Sequence, residues 1–136
     1  MWEKVCAEVM DNQLQKPIGG LRLPMPLAEQ YRDMRHKKLI DLIDKPQWAG
    51  TAPNSELFVK QAEDTLIPDL ISIVNVDGNY QFIIFDAKYY NIQLEHNKKL
   101  RGQPGIESIT KQYLYQLAYQ PFVEAHQIGT VRNCFL

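Results

Sequence analysis

A chain of 136 residues and 15.8 kDa is the size of one domain with a core of its own, and 45% hydrophobic with 23% charged residues is ordinary soluble globular composition. No apolar run approaches the ~18 residues of a membrane span and no signal-peptide pattern opens the chain, so no membrane partner is expected and the cytoplasm is the expected location. A net charge of −1 and a pI near 6.3 lack the global signature of a nucleic-acid binder, while two cysteines, Cys6 and Cys134, are too few for a disulfide framework or zinc cluster and read as buried thiols.

The chain begins with Trp2, Val5, Cys6, Val9 and Met10 at spacings of three and four, which predicts a helix over residues 2–14 with Glu3 at the margin of its apolar stripe. Gly19-Gly20 and prolines 17, 24 and 26 break regularity. A second helix is predicted over Leu27 to Ile43, a loop over Trp48 to Ser55, and a short strand over Leu57 to Ala62. Two basic runs stand out, Arg32, Arg35, His36, Lys37, Lys38 and His96, Lys98, Lys99, Arg101, and a solvated face accounts for either.

Ile67 to Lys88, IPDLISIVNVDGNYQFIIFDAK, reads as a hairpin. Asp77-Gly78 is the dipeptide best suited to a two-residue type I′ loop, because both central residues must take φ > 0. With that loop, Val76 faces Asn79, paired positions sum to 155, and Asp69 faces Asp86. Opposed residues share a face with Cβ atoms roughly 4.5–5.5 Å apart, and Lys88 returns to the same face. Two carboxylates so placed repel unless a cation, a shared proton or a lysine compensates them. Both faces of the hairpin are apolar, Ile71, Ile73, Phe82 and Ile84 on one and Leu70, Val74, Val76, Ile83 and Phe85 on the other, which predicts a sheet covered on both sides.

After a polar stretch ending at Gly105, a helix is predicted from Ile106, with Ile106, Ile109, Tyr113, Leu114 and Leu117 as its buried stripe, Gln112, Gln116 and Tyr119 beside it, and Pro121 ending or kinking it. A last strand spans Thr130 to Leu136. His36, His96 and His126 lack metal-ligand spacing and read as exposed or incidental.

Pro68-Asp69 followed by Asp86-Ala87-Lys88 at the end of the next strand resembles the PD-(D/E)XK nuclease signature, and WEKVC, IPDLI, FDAKYY and ESITKQYLYQLAY look like the restriction endonucleases of the LlaJI type. The resemblance covers about residues 57–136 plus the first helix, leaving 15–55 as an insertion in a single domain of residues 1–136. It implies an α/β fold with a restriction-endonuclease-like αβββαβ core, a mixed central sheet flanked by helices on both faces. It also implies Mg²⁺, with Mn²⁺ as the other candidate, held by Asp69, Asp86 and the Ala87 backbone carbonyl, and Lys88 to position or activate the attacking water. A structural ion pair with an aspartate is the plainer role for Lys88. Glu3 is the candidate for an acid that family members carry on the first helix, where it would equally serve the helix dipole. Gln112 and Gln116 match the polar residues that such enzymes place on the helix after the DxK strand. The expected substrate is double-stranded DNA, cut by hydrolysis, and a homodimer would reach both strands. The alternatives are a catalytically silent nuclease-fold module that binds nucleic acid or protein, and a metal-dependent hydrolase of RNA or another phosphoester. The end of the chain at Cys134-Phe135-Leu136, within a strand-like run, reads as a shortened enzyme lacking its recognition part.

Overall fold

The computed structural model describes residues 1–136. In chain order its elements are α1 (Trp2–Val9), α2 (Glu29–Arg32), β1 (Gln47–Thr51), β2 (Leu57–Gln61), β3 (Leu70–Val76), β4 (Asn79–Asp86), α3 (Ile106–Ala125) and β5 (Thr130–Phe135), with 3₁₀ turns at Ile18–Gly20 and Leu39–Leu42.

The Asp77-Gly78 loop organises the centre. Both residues take positive φ, 52° and 84°, and the Gly78 N–H donates to Asn75 Oδ1 at 2.8 Å. The antiparallel β3–β4 pair therefore runs in the predicted register, from Val76 opposite Asn79 to Leu70 opposite Phe85. β5 adds to the other edge of β4 in parallel, Gln81 opposite Thr130 through Asp86 opposite Phe135, giving a mixed three-stranded sheet in the order β3-β4-β5. Period-two alternation sends Ile71, Phe82 and Ile84 to one face, where they pack with Tyr119, Phe122 and Val123 of α3 and with Leu14, Ile18, Leu39 and Ile43. Leu70, Phe85 and Ala87 go to the other face and meet Cys6 of α1.

Several expectations are corrected. The helix from residue 2 stops at Val9: Asp11 takes φ 50°, and the Asn12 side chain turns back so that Oδ1 accepts the N–H groups of Leu14 and Ile71. With Gln13 N donating to the Ile71 carbonyl at 2.7 Å, residues 12–13 cover the free edge of β3. No long helix runs from Leu27 to Ile43. Its backbone is taken by residues 14–19 instead: Ile18 N donates to Lys37 O, Gly19 N to Arg35 O, Leu39 N to Lys16 O and Ile40 N to Leu14 O. Bonds between these two segments satisfy those peptide groups without i→i−4 pairing, so only the single turn of α2 is α-helical, with a 3₁₀ turn at Leu39–Leu42. The stretch expected as a loop contains β1, which pairs antiparallel with β2, so the strand at Leu57–Gln61 belongs to a separate two-stranded ribbon and not to the central sheet.

The stripe predicted on α3 is rotated. Tyr113, Leu117 and Ile106 are exposed at 61%, 67% and 76%, whereas Gln112, Tyr119, Phe122 and Val123 are buried. The helix also continues through Pro121, which sits on its exposed side. His126 is neither exposed nor incidental but fully buried beyond the end of α3. Its Nε2 accepts the Ala28 N–H at 3.0 Å, its Nδ1 lies 2.7 Å from the Phe122 carbonyl, and its ring packs on Phe122 and Tyr31. With Nε2 as acceptor, the proton sits on Nδ1 and is donated to that carbonyl. Cys6 is buried as expected, and Cys134 is half-buried.

Candidate active site

Where the β3–β4 ladder ends, the two carboxylates meet. Pro68 is buried and fixes the approach to β3; one residue before the Leu70–Phe85 pair, Asp69 Oδ2 accepts the Ala87 N–H at 3.0 Å, closing the open end of the hairpin. Asp86, the last residue of β4, is 9% exposed and both its oxygens are engaged: Oδ1 accepts the Lys88 N–H at 3.2 Å and Oδ2 the Tyr90 hydroxyl at 3.0 Å. Ala87 between them is buried, and its carbonyl accepts no backbone hydrogen bond. Backbone N–H groups and one phenol thus hold the acids in place, while Asp69 Oδ1 stays free of bonds from the protein.

Electrostatics tie the predicted residues together. Burial pushes the Asp69 carboxyl above the usual aspartate range, although its side chain still reaches solvent; the Ala87 N–H pulls it down, the charges of Asp86 and Glu3 push it up, and Lys88 pulls it down. Glu3, in the first turn of α1, is therefore near enough for its charge to act on Asp69. Lys88 is exposed and forms no ion pair with either aspartate, so the plainer structural role is not realised. The Tyr115 hydroxyl of α3 donates to the Ile67 carbonyl at 3.0 Å; burial raises its pKa, and the charges of Asp69 and Asp86 raise it further. The aromatic rings of Trp2 and Tyr89 flank Glu3 and Lys88 in sequence and meet edge to face with centroids 6.3 Å apart.

Gln112 and Gln116 lie on the face of α3 that turns to the sheet. Gln112 Nε2 donates to the Cys134 carbonyl at 3.2 Å and the Ile84 carbonyl at 3.5 Å, and its buried Oε1 has no partner. Gln116 Oε1 accepts from Asn133 Nδ2 at 2.7 Å. Both amides work at the helix–sheet seam behind the carboxylates.

Sequence reasoning left Tyr90 either to pack against the helices or to contact a nucleotide, and passed over Ser108. The phenol of Tyr90 bridges Asp86 and Ser108, the latter in the first turn of α3, and its ring meets Phe135 edge to face at 5.7 Å. Burial, with a contribution from Asp86, keeps the phenol pKa above its ordinary value, so the hydroxyl stays a donor. A tyrosine four residues beyond an aspartate at a strand end carried no periodic signal.

The donor set suits a small hard cation. No three His, Cys, Asp or Glu side chains converge there, so the protein's own contribution to a cation is two carboxylates and a backbone carbonyl. Two carboxylates at one edge, one with a free oxygen, beside an unbonded carbonyl are what Mg²⁺ takes, since it keeps several waters and shares its shell with phosphate. Asp69 and Lys88 are exposed at this edge, whereas Asp86 and Ala87 are buried behind them. The second basic run lies in the loop between Lys88 and α3, where Gln93, Glu95, Lys98, Lys99 and Arg101 line a groove of about 410 Å³. No helix is long and apolar enough to cross a membrane.

The chain was compared with known proteins. The family model described as "LlaJI restriction endonuclease" matches residues 28–136. The chain is 38% identical over all 136 residues to "Type II restriction enzyme BsuMI component YdjA" of Bacillus subtilis (strain 168), and it spans 23% of that protein's length. No solved structure matches it. The match over most of the chain, falling on the hairpin, the acids and α3, places it: this chain belongs to the LlaJI restriction endonuclease family.

Proposed function

We propose that the chain is the nuclease module of a type II restriction enzyme, hydrolysing phosphodiester bonds of double-stranded DNA with Mg²⁺, or Mn²⁺ in its place. The observation that carries this reading is the closed end of the hairpin, where the Asp69–Ala87 bond keeps two carboxylates, a free carbonyl and an unpaired lysine together, with Asp69 and Lys88 exposed to solvent. The fold then reads as a restriction-endonuclease-like core, with α1 and α3 on opposite faces of the mixed sheet.

Asp69, Asp86 and the Ala87 carbonyl hold the cation. When bound, Mg²⁺ supplies Lewis-acid polarisation of the phosphoryl group and eases proton loss from water. Lys88 offsets phosphate charge and orients the attacking water, a role open to it because no carboxylate engages its ammonium. Glu3 adds negative charge at the rim and strengthens cation binding. Gln112 and Gln116 act from behind, fastening α3 to β4 and β5 so that the strand ends keep their spacing. The exposure of Asp69 and Lys88 favours a long polyanion over a small phosphoester, which would call for an enclosing pocket. A second copy would bring an equivalent edge to the other strand.

Plasmid cleavage with and without Mg²⁺, in the wild type and in Asp86→Ala and Lys88→Ala, tests the reading. Each substitution is expected to cost about 100-fold or more in rate, given what removing one preorganised charge costs elsewhere. Calorimetric Mn²⁺ titration accompanies it, with binding expected in the wild type and lost in Asp69→Asn. Equal cleavage by all three proteins, or a wild type that neither cleaves nor binds Mn²⁺, would overturn the proposal.

A further inference from the structure

Asp86 is the more buried of the two acids, and the groups that hold its side chain are few. One oxygen is held by the Lys88 N–H, two residues on in its own chain, and the other by Tyr90 alone. Tyr90 belongs to neither β4 nor α3, yet it touches three elements at once. Its hydroxyl reaches the end of β4 at 3.0 Å and Ser108 Oγ in α3 at 3.4 Å, and its ring stands edge-on to Phe135 of β5, the residue opposite Asp86 in the parallel ladder. A phenol has one proton to give. Here it goes to the carboxylate, which when ionised can only accept, so the Ser108 hydroxyl is the donor toward the phenol oxygen. The result is a short relay in which Ser108 donates to Tyr90 and Tyr90 donates to Asp86.

We propose that Tyr90 is a positioning residue for the cation site, holding Asp86 Oδ2 so that the remaining lone pairs of the carboxylate face a divalent ion, with Ser108 bracing the phenol from α3. This rests on the reading above that Asp86 binds the cation. Carboxylate ligands are commonly oriented by such outer hydrogen bonds, and losing one typically costs 10–100-fold in metal affinity. Tyr90 is suited to the task because its ring is anchored independently of its hydroxyl. Removing the oxygen therefore frees the carboxylate without unseating the side chain from Phe135.

The test is Mn²⁺ titration by calorimetry on the full chain, in the wild type and in Tyr90→Phe, Ser108→Ala, Ser108→Thr and Asp86→Asn, with a thermal melt of each metal-free protein. Tyr90→Phe is expected to weaken Mn²⁺ binding by about 10–100-fold while melting close to the wild type. Ser108→Ala should give a smaller loss, and Ser108→Thr, which keeps a hydroxyl, should recover it. A Tyr90→Phe protein that melts lower but binds Mn²⁺ at wild-type strength would assign the tyrosine to packing and overturn the inference. If Asp86→Asn abolishes binding in that same series, the cation site itself survives and only the role of Tyr90 falls. A wild type that binds no Mn²⁺ removes both.

Discussion

Replacing His126 with alanine probes how the early segment is tied to the site-bearing helix. The imidazole is fully buried, and its Nε2 is the acceptor for the Ala28 N–H, a bond between residues 98 positions apart. Truncation leaves that N–H buried without a partner, which costs about 1–3 kcal/mol. The Phe122 carbonyl keeps the His126 backbone N–H at 3.2 Å, so its loss is the smaller one. The ring also fills space between Phe122 and Tyr31, with centroids 4.4 and 5.3 Å away, and emptying a buried aromatic-sized site adds about 2 kcal/mol, the low end of such truncations. The sum is about 3–5 kcal/mol. For a chain of this length that lowers the melting temperature by roughly 10–20 °C, and the urea midpoint by about 2 M at unchanged slope. His126→Gln, whose amide oxygen can stand where Nε2 stands, should recover part of the loss. Urea unfolding followed by circular dichroism reads all three proteins. A change under about 1 kcal/mol in His126→Ala would refute the reasoning, because an orphaned buried amide cannot cost so little.

Asp69→Asn should stabilise the metal-free protein at neutral pH while abolishing Mn²⁺ binding. The folded-state pKa of Asp69 lies above its ordinary value of 3.8, so the ionised carboxylate costs stability above both values, and that cost is relieved as pH falls through the raised value toward 3.8. Thermal melts against pH should show the variant's advantage shrinking across that window, and an advantage that grows on acidification would contradict it. Gln112→Leu forfeits two bonds to strand carbonyls but also removes the unpartnered Oε1, so stability should move by only about 1 kcal/mol, with Mn²⁺ affinity retained. Loss of Mn²⁺ binding in a folded Gln112→Leu protein would instead give that amide a direct part in the site.

What could be read from the residues differs from element to element for physical reasons. The hairpin register was legible because Asp77-Gly78 permits one tight loop, and a two-residue loop leaves no freedom in pairing. Its strand ends, and with them Asp69, Ala87 and Asp86, followed directly. The helix over residues 27–43 was not legible, because the bonds that dissolve it come from residues 14–19 and local periodicity carries no trace of them. On α3, apolar content pointed to Ile106, Tyr113 and Leu117, yet the face turned to the sheet carries the buried Gln112 with the half-buried Ser108, Tyr115 and Gln116. That face has polar work to do, bonding strand carbonyls, Asn133, the Ile67 carbonyl and Tyr90, so hydrophobicity selects the wrong side. His126 was misjudged for a related reason: a buried imidazole is betrayed by its partners, and one of these lies far up the chain.

Because β4 runs between an antiparallel neighbour and a parallel one, the side on which its terminal acid emerges is a question of parity. From Asn79 to Asp86 the strand has eight residues. Nine or seven would swing the carboxylate through the sheet to the layer of Cys6, and any bulge that made good the difference would have to be absorbed by two dissimilar ladders at once. The spacing between the glycine of the turn and Asp86 thus decides, as much as the identity of the residue itself, which layer that carboxylate enters, and change in length is better tolerated in the polar stretch between Lys88 and α3, which neither ladder of β4 counts.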